Sequence, residues 1–166
     1  MACARPLAPV LGRCETVQGR VLAFNAEDKP SSTRHRIQRM CRALGLNISE
    51  LDLYLINMPG LRIDDSTQID RLRDTIERYE SVHVTLDPFR DLHGLDENDA
   101  RVMSAVLAPL RLIQHDFGCS VQMIHHTAKQ STENARRPGQ RLRGSGVLHG
   151  WIDSAMYLTR DGERVA

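Results

Sequence analysis

The sequence has no long run of hydrophobic residues. Its longest apolar run, residues 107–113, is interrupted by Pro109 and Arg111, whereas a membrane-spanning helix needs about 20 consecutive apolar residues. The N-terminal residues also lack the continuous apolar segment of a secretory signal peptide. These absences argue against a membrane partner, and we expect a cytoplasmic protein.

Paired cysteines are absent as well. No Cys-x-x-Cys or Cys/His spacing typical of a zinc site occurs among the four cysteines, Cys3, Cys14, Cys41 and Cys119. Two of them, Cys41 and Cys119, lie among apolar residues, where a thiol packs as a small hydrophobic group. We therefore expect reduced thiols and no structural zinc.

Lysine is scarce. The chain has 20 arginines, 2 lysines and a net charge of +1, and a nearly neutral charge disfavours a protein that coats nucleic acid. The basic residues are nevertheless uneven, because residues 134–152 contain no acidic side chain but carry Arg136, Arg137, Arg141 and Arg143. A coding bias and the use of arginine for bidentate phosphate contacts both remain open explanations.

Strand and helix patterns alternate along the chain. Short apolar runs predict strands over residues 21–26, 51–58, 82–86, 119–124 and 154–159. Helical spacing predicts helices over residues 34–44, 68–79, 98–115 and, after Gly144-Ser-Gly146, a short turn or helix to 151. This alternation predicts an α/β fold with a mostly parallel sheet flanked by helices on both faces.

Details of the helices follow from the same patterns. The first helix is expected to be capped by the Ser/Thr residues 31–33 and closed by Gly45. The inner face of the third long helix is predicted to carry Val102, Val106, Leu110 and Ile113. Asp161-Gly162 predicts the start of a hairpin.

Polar residues follow the predicted strands directly. They are Glu27, Asp28, Asp87, His125 and His126. The carboxyl ends of parallel strands form the edge where such sheets bind ligands. An aspartate there can hold Mg²⁺ through water, and a glutamate can orient and deprotonate a water molecule. Taken singly, Asp87 could equally be a turn or cap residue, and His125 with His126 could be a satisfied pair at a strand end.

Four sequence strings occur together in a fixed order. They are VLAFNAED at 21–28, VHVTLDP at 82–88, HHTAK at 125–129 and RGSGVL at 143–148. In this order and spacing they resemble the RecA-like P-loop ATPases, in particular the AAA-family group related to hexameric plasmid replicative helicases. The resemblance covers about residues 8–160.

The resemblance implies a role for each matching residue. Glu27 is similar to the catalytic glutamate, and Asp87 to the Walker B aspartate that holds Mg²⁺. His126, with His125 as the alternate, is similar to the sensor of the terminal phosphate. Lys129 and Arg143 resemble the basic residues that reach the γ-phosphate of a neighbouring subunit. The implied ligands are ATP and Mg²⁺, and the implied assembly is a homo-oligomeric ring.

The resemblance also places a DNA-contacting loop at Arg136, Arg137 and Arg141. A solvated basic segment without a ligand explains the same composition equally well. The resemblance implies that DNA is a partner of the intact protein.

The phosphate cradle of the family, G-x-x-x-x-G-K-[ST], does not occur in the sequence. We expect residues 1–166 to be a single RecA-like domain that lacks the N-terminal P-loop strand and helix, and to bind ATP weakly or not at all. The resemblance places the P-loop strand between the strands of Asp87 and His125. Without it, those strands either leave a gap or pair directly.

Two other functions remain open. The first is a non-catalytic module that binds partner subunits or DNA. The second is a metal-dependent phosphoesterase that uses Asp28, Asp87, His125 and His126, with His93 isolated from them in sequence. The ATPase interpretation predicts that Glu27, Asp87 and His126 converge at one edge of the sheet.

Overall fold

The computed structural model describes residues 2–3, 15–57, 60–126, 146–158, 160–161 and 164–165. The strands are β1 (Ala2–Cys3), β2 (Val17–Gln18), β3 (Val21–Asn25), β4 (Leu53–Asn57), β5 (His83–Asp87), β6 (Ser120–Met123), β7 (Arg160–Asp161) and β8 (Arg164–Val165). The α-helices are α1 (Pro30–Ala43), α2 (Ser66–Tyr79), α3 (Ala100–Phe117) and α4 (Gly146–Trp151). Two 3₁₀ turns cover Ile48–Glu50 and Phe89–Leu92.

The main sheet has four parallel strands in the order β4-β3-β5-β6. Helices surround it, so the predicted α/β class is confirmed, and the fold is consistent with the RecA-like core that the resemblance implies. Asn25, the last residue of β3, lies opposite Asn57 on one side and Asp87 on the other. The carboxyl ends of these three strands are therefore level with one another.

Strands β5 and β6 pair directly. Their register runs from His83 opposite Ser120 to Leu86 opposite Met123, and Ile124 N donates to Leu86 O at 2.9 Å beyond the last pair. Of the two arrangements expected without the P-loop strand, this is direct pairing rather than a gap.

The core lies between this sheet and the helices α2 and α3. Leu22, Leu86, Leu110 and Ile113 are completely buried in it. On α2, Ile69, Leu72 and Ile76 are buried against the same core. Among the described residues, no helix combines the length and apolar character that a membrane span requires.

Helix α1 begins earlier than the sequence pattern predicted. It starts at Pro30 with Lys29 as the N-cap, and no side chain caps it. The predicted Ser/Thr cap at residues 31–33 is wrong because the fixed φ of proline suits the first helical position, which moves these residues into the helix. The predicted end is confirmed: Gly45 has φ +64°, and Leu46 N donates to Cys41 O at 2.8 Å, as in a Schellman cap.

The predicted inner face of α3 is confirmed at Val106, Leu110 and Ile113, but not at Val102. The helix starts at Ala100 with Asp99 as its cap, and it buries Met103 and Leu107 whereas Val102 is only partly covered. Because each residue turns the helix by about 100°, the buried stripe is centred on Leu110, and Val102 lies at its margin.

The predicted strand over residues 154–159 is wrong in its described part. Residues 154–158 form no strand, and four of these five residues are exposed. An apolar alternation forms a strand only where a partner strand supplies hydrogen bonds, and no described strand lies beside this segment. The predicted hairpin start is confirmed by the antiparallel pairing of β7 with β8.

The packing of α3 gives a direct stability prediction. Leu110→Ala should lower the free energy of unfolding by about 2–5 kcal/mol, because it leaves a cavity in the core. Leu112→Ala is the matched control on the same helix, since Leu112 is 59% exposed, and it should change stability by less than about 0.5 kcal/mol. Urea denaturation measures both, and equal losses would contradict the assigned core.

Candidate functional site

The end of β3 is a turn built by Asn25. Its side-chain Oδ1 accepts hydrogen bonds from Glu27 N at 3.2 Å and from Asp28 N at 2.7 Å. This is an Asx turn, in which a side chain replaces the next backbone acceptor. The turn ends the strand and holds two acidic residues just beyond the sheet.

Asp87 lies beside this turn at the end of β5. Ala26 N donates to Asp87 O at 2.8 Å, so the ladder between β3 and β5 continues to the residue before Glu27. Burial raises the pKa of Asp87, and the negative charges of Asp28 and Glu27 raise it further. The carboxylates of Asp28 and Glu27 thus lie near enough to Asp87 to disfavour its charged form.

Two residues from other parts of the fold have the opposite effect on the pKa of Asp87. Arg36 on α1 and His126 after β6 both act to lower the pKa of Asp87, against the larger effect of burial. Glu27, Asp87 and His126 therefore lie at one edge of the sheet, as predicted from their positions after parallel strands.

The two neighbouring acids differ in their partners. Asp28 accepts a hydrogen bond from Arg36 Nη2 at 2.7 Å, and its backbone oxygen accepts one from Asn57 Nδ2 at 3.2 Å. Asp28 thereby ties α1 and β4 to the end of β3. Glu27 is exposed, and no described residue binds its carboxylate. Glu27 is the acid of this pair that is free to contact a ligand.

The two histidines after β6 differ in exposure. His126 is exposed. The side chain of His125 is only 6% exposed, with Nδ1 at 2.8 Å from His126 O and Nε2 at 3.2 Å from Glu97 Oε1. Of the two sensor candidates, His126 lies at the edge with Asp87, and His125 lies beneath it.

His93 is not isolated, which corrects the interpretation from sequence. Its side chain is completely buried, with Nε2 3.6 Å from Glu97 Oε1, and its ring centroid lies 4.9 Å from that of Phe89. Burial lowers the pKa of His93. The short 3₁₀ turn after β5 folds back and carries His93 into the core, which the linear order of residues does not reveal.

Sequence reasoning missed three residues of this region: Asn25, Arg36 and Glu97. An asparagine before two acids at a strand end is a signal for an Asx turn, and Glu97 follows His93 at the four-residue spacing of an ion pair. Arg36 had no signal, because it is one of eight polar residues of α1 that are exposed or partly exposed. The other candidates, Lys129, Arg136, Arg137, Arg141 and Arg143, lie outside the described residues.

The donor set fits Mg²⁺ held together with a phosphate ligand. Asp87 and Glu27 offer carboxylate oxygens, and Mg²⁺ is usually bound by one or two carboxylates plus substrate phosphates. No three His, Cys, Asp or Glu residues of the described chain are arranged to hold a metal ion by themselves. The phosphoesterase alternative requires such a set, but Asp28 is engaged by Arg36 and His125 by Glu97.

A family model described as an AAA domain matches residues 1–132. The matched range includes the ends of β3, β5 and β6, which carry Glu27, Asp87 and His126.

The raised pKa of Asp87 predicts how stability depends on pH. The folded protein protonates Asp87 at a higher pH than the unfolded chain does, so ionisation of Asp87 lowers the free energy of unfolding as pH rises through that interval. Asp87→Asn should therefore be more stable than the wild type at neutral pH, and the difference should shrink in acid. Urea denaturation across a pH series measures it.

Asp64→Asn is the matched control with the opposite sign. Hydrogen bonds from Arg62 hold the pKa of Asp64 well below its usual range, so its ionised form stabilises the fold above that range. Asp64→Asn should lose stability at neutral pH, and the loss should shrink as pH falls. If both variants lose stability alike, Asp87 is not repelled by its neighbours.

Proposed function

The chain belongs to the AAA domain family of P-loop ATPases, and on that premise we propose that it supplies the hydrolytic edge of an ATP-driven motor that acts on DNA. The observation that carries this proposal is the position of Glu27, Asp87 and His126 at the level carboxyl ends of three parallel strands. The motor and DNA parts rest on the sequence resemblance.

Glu27 is proposed as the general base. Its carboxylate is exposed beyond the Asx turn of Asn25, where it can accept the proton of a water molecule that attacks the γ-phosphate. As the new bond between water oxygen and phosphorus forms, the bond from the γ-phosphorus to the bridging oxygen breaks. The two hydrogen bonds of the Asx turn hold the backbone of Glu27 just beyond the end of β3.

Asp87 is proposed to hold Mg²⁺, through water or directly. Mg²⁺ held there would neutralise the negative charge that develops on the phosphate oxygens. A cation would also offset the burial and the neighbouring negative charges that raise the pKa of Asp87. His126 is proposed as the sensor, because an exposed imidazole beside Asp87 can donate a hydrogen bond to a terminal phosphate oxygen.

The remaining roles concern residues 127–145. Lys129 and Arg143 are proposed to reach the γ-phosphate of a neighbouring subunit in a ring, where positive charge stabilises the transferred phosphoryl group. Arg136, Arg137 and Arg141 are proposed to contact the DNA backbone, since no acidic residue opposes them between Glu133 and Asp153. If these arginines contact the DNA backbone, DNA binding should weaken as the salt concentration rises.

The phosphate cradle is not formed by a Gly-Lys-Ser/Thr string within these 166 residues. Assays therefore use two polypeptides: residues 1–166, and the longest natural reading frame that contains them. An in-frame Gly-rich segment upstream would provide the main ligands of the β- and γ-phosphates.

Glu27→Gln should lower the ATP turnover of the longer polypeptide by a factor of about 10²–10⁴ while nucleotide affinity is retained. The physical reason is that an amide binds water but does not accept its proton. Added DNA should raise wild-type turnover, and replacing Arg136, Arg137 and Arg141 together by alanine should remove only that increase.

Glu77→Gln is the matched control for this experiment, since Glu77 is exposed on the last turns of α2. It should leave turnover unchanged. Wild-type turnover in Glu27→Gln would remove Glu27 from the mechanism. A wild-type chain that binds DNA but hydrolyses no ATP would favour the non-catalytic module instead.

A further inference from the structure

A buried carboxylate lies beneath the two histidines, in the segment that follows β5. Glu97 Oε1 is 3.2 Å from His125 Nε2 and 3.6 Å from His93 Nε2. The side chains of His93, Glu97 and His125 are 0%, 8% and 6% exposed. Burying a carboxylate costs free energy unless it is paired and hydrogen-bonded. The contacts of Glu97 therefore show which side chains it holds in place.

The hydrogens on His125 follow from those partners. Its Nδ1 lies 2.8 Å from the carbonyl oxygen of His126. A carbonyl oxygen only accepts, so Nδ1 carries a hydrogen. The contact between Nε2 and Glu97 Oε1 is then a hydrogen bond only when a proton also lies between those two atoms. The structure thus places the His125 ring between the carbonyl oxygen of His126 and the carboxylate of Glu97.

This pair joins the segments that leave two neighbouring strands. Glu97 lies on the segment that begins at Asp87, and His125 follows β6. The same two segments are also joined by Phe89 N, which donates to Ile124 O at 2.8 Å, and by the Phe89 ring, 6.1 Å from that of His125. Side-chain, backbone and ring contacts thus fix the end of β6 against the end of β5.

We propose that Glu97 is a positioning residue for His126. Glu97 holds the ring of His125, and Nδ1–H of His125 donates to the carbonyl oxygen of His126. This connection keeps His126 at the edge of the sheet. The proposal rests on the proposed role of His126 as the phosphate sensor. The proposal also gives His125 a structural role as the link between Glu97 and His126, without contact with the nucleotide.

Two substitutions at Glu97 separate positioning from mere packing. Glu97→Gln keeps the connection, because the glutamine amide can donate to an unprotonated Nε2. Glu97→Leu has a similar size but leaves Nε2 without a partner. Glu77→Leu on the exposed surface of α2 is the control.

The first measurement is ¹⁵N NMR of the histidine rings in residues 1–166, without nucleotide. We expect Nδ1 of His125 to be protonated in the wild type and in Glu97→Gln, and the His126 resonances to move in Glu97→Leu only. A wild-type His125 that carries hydrogen on Nε2 alone would overturn the proposal. If Glu97→Leu does not fold, the wild type and Glu97→Gln still decide it.

The second measurement is ATP turnover of the longer polypeptide. Glu97→Leu should lower kcat by about tenfold to a hundredfold, as expected for a displaced catalytic group, with KM for ATP unchanged. Glu97→Gln should retain most of kcat. Equal kcat in all variants would overturn the proposal. A wild type without turnover would refute the proposed function, and the NMR result would then decide alone whether Glu97 holds His125.

Discussion

The parallel pairing of β3 with β5 is the constraint on which the site depends. It places Asn25 opposite Asp87 and therefore sets the Asx turn, with Glu27, beside the Asp87 carboxylate. The register is fixed by burial, because Val84 and Leu86 of β5 are 1% and 0% exposed. A slip of one residue would turn these side chains out of the core and move Asp87 at the same time. The same register therefore buries the core side chains and places Asp87 at the site.

The edge so formed carries opposing electrostatic demands. Burial and two neighbouring acids disfavour the charged form of Asp87, while Arg36 and His126 favour it. A carboxylate whose pKa is shifted by burial and by neighbouring charges is typical of functional sites. Beneath these residues, the chain buries the Glu97 carboxylate beside two imidazoles, of which His125 is within hydrogen-bond distance and His93 is not. The charged edge thus lies above a buried contact between the segments that follow β5 and β6.

Sequence patterns predicted the parts of this arrangement that depend on local order. The strands over 21–26 and 82–86 were predictable because each is a short apolar run ended by an acid, and parallel strands necessarily bring such ends to one edge. The contact of Glu97 with His125 was not predictable, because it joins residues 28 positions apart through a non-periodic segment. The strand predicted over 154–159 failed for a related reason, since strand formation depends on a distant partner that a local pattern does not contain.

The central claim is that Glu27, Asp87 and His126 surround one site for a metal-bound nucleotide. Paramagnetic broadening by Mn²⁺ with ATP, read at backbone amides of the longer polypeptide, tests it most directly because Mn²⁺ takes the same oxygen ligands as Mg²⁺. The account predicts that the amides at all three strand ends broaden together, while those of Arg20 and Glu80, which pair with each other at the opposite edge of the sheet, stay sharp. Broadening at only one strand end, or equally at both edges, would contradict it.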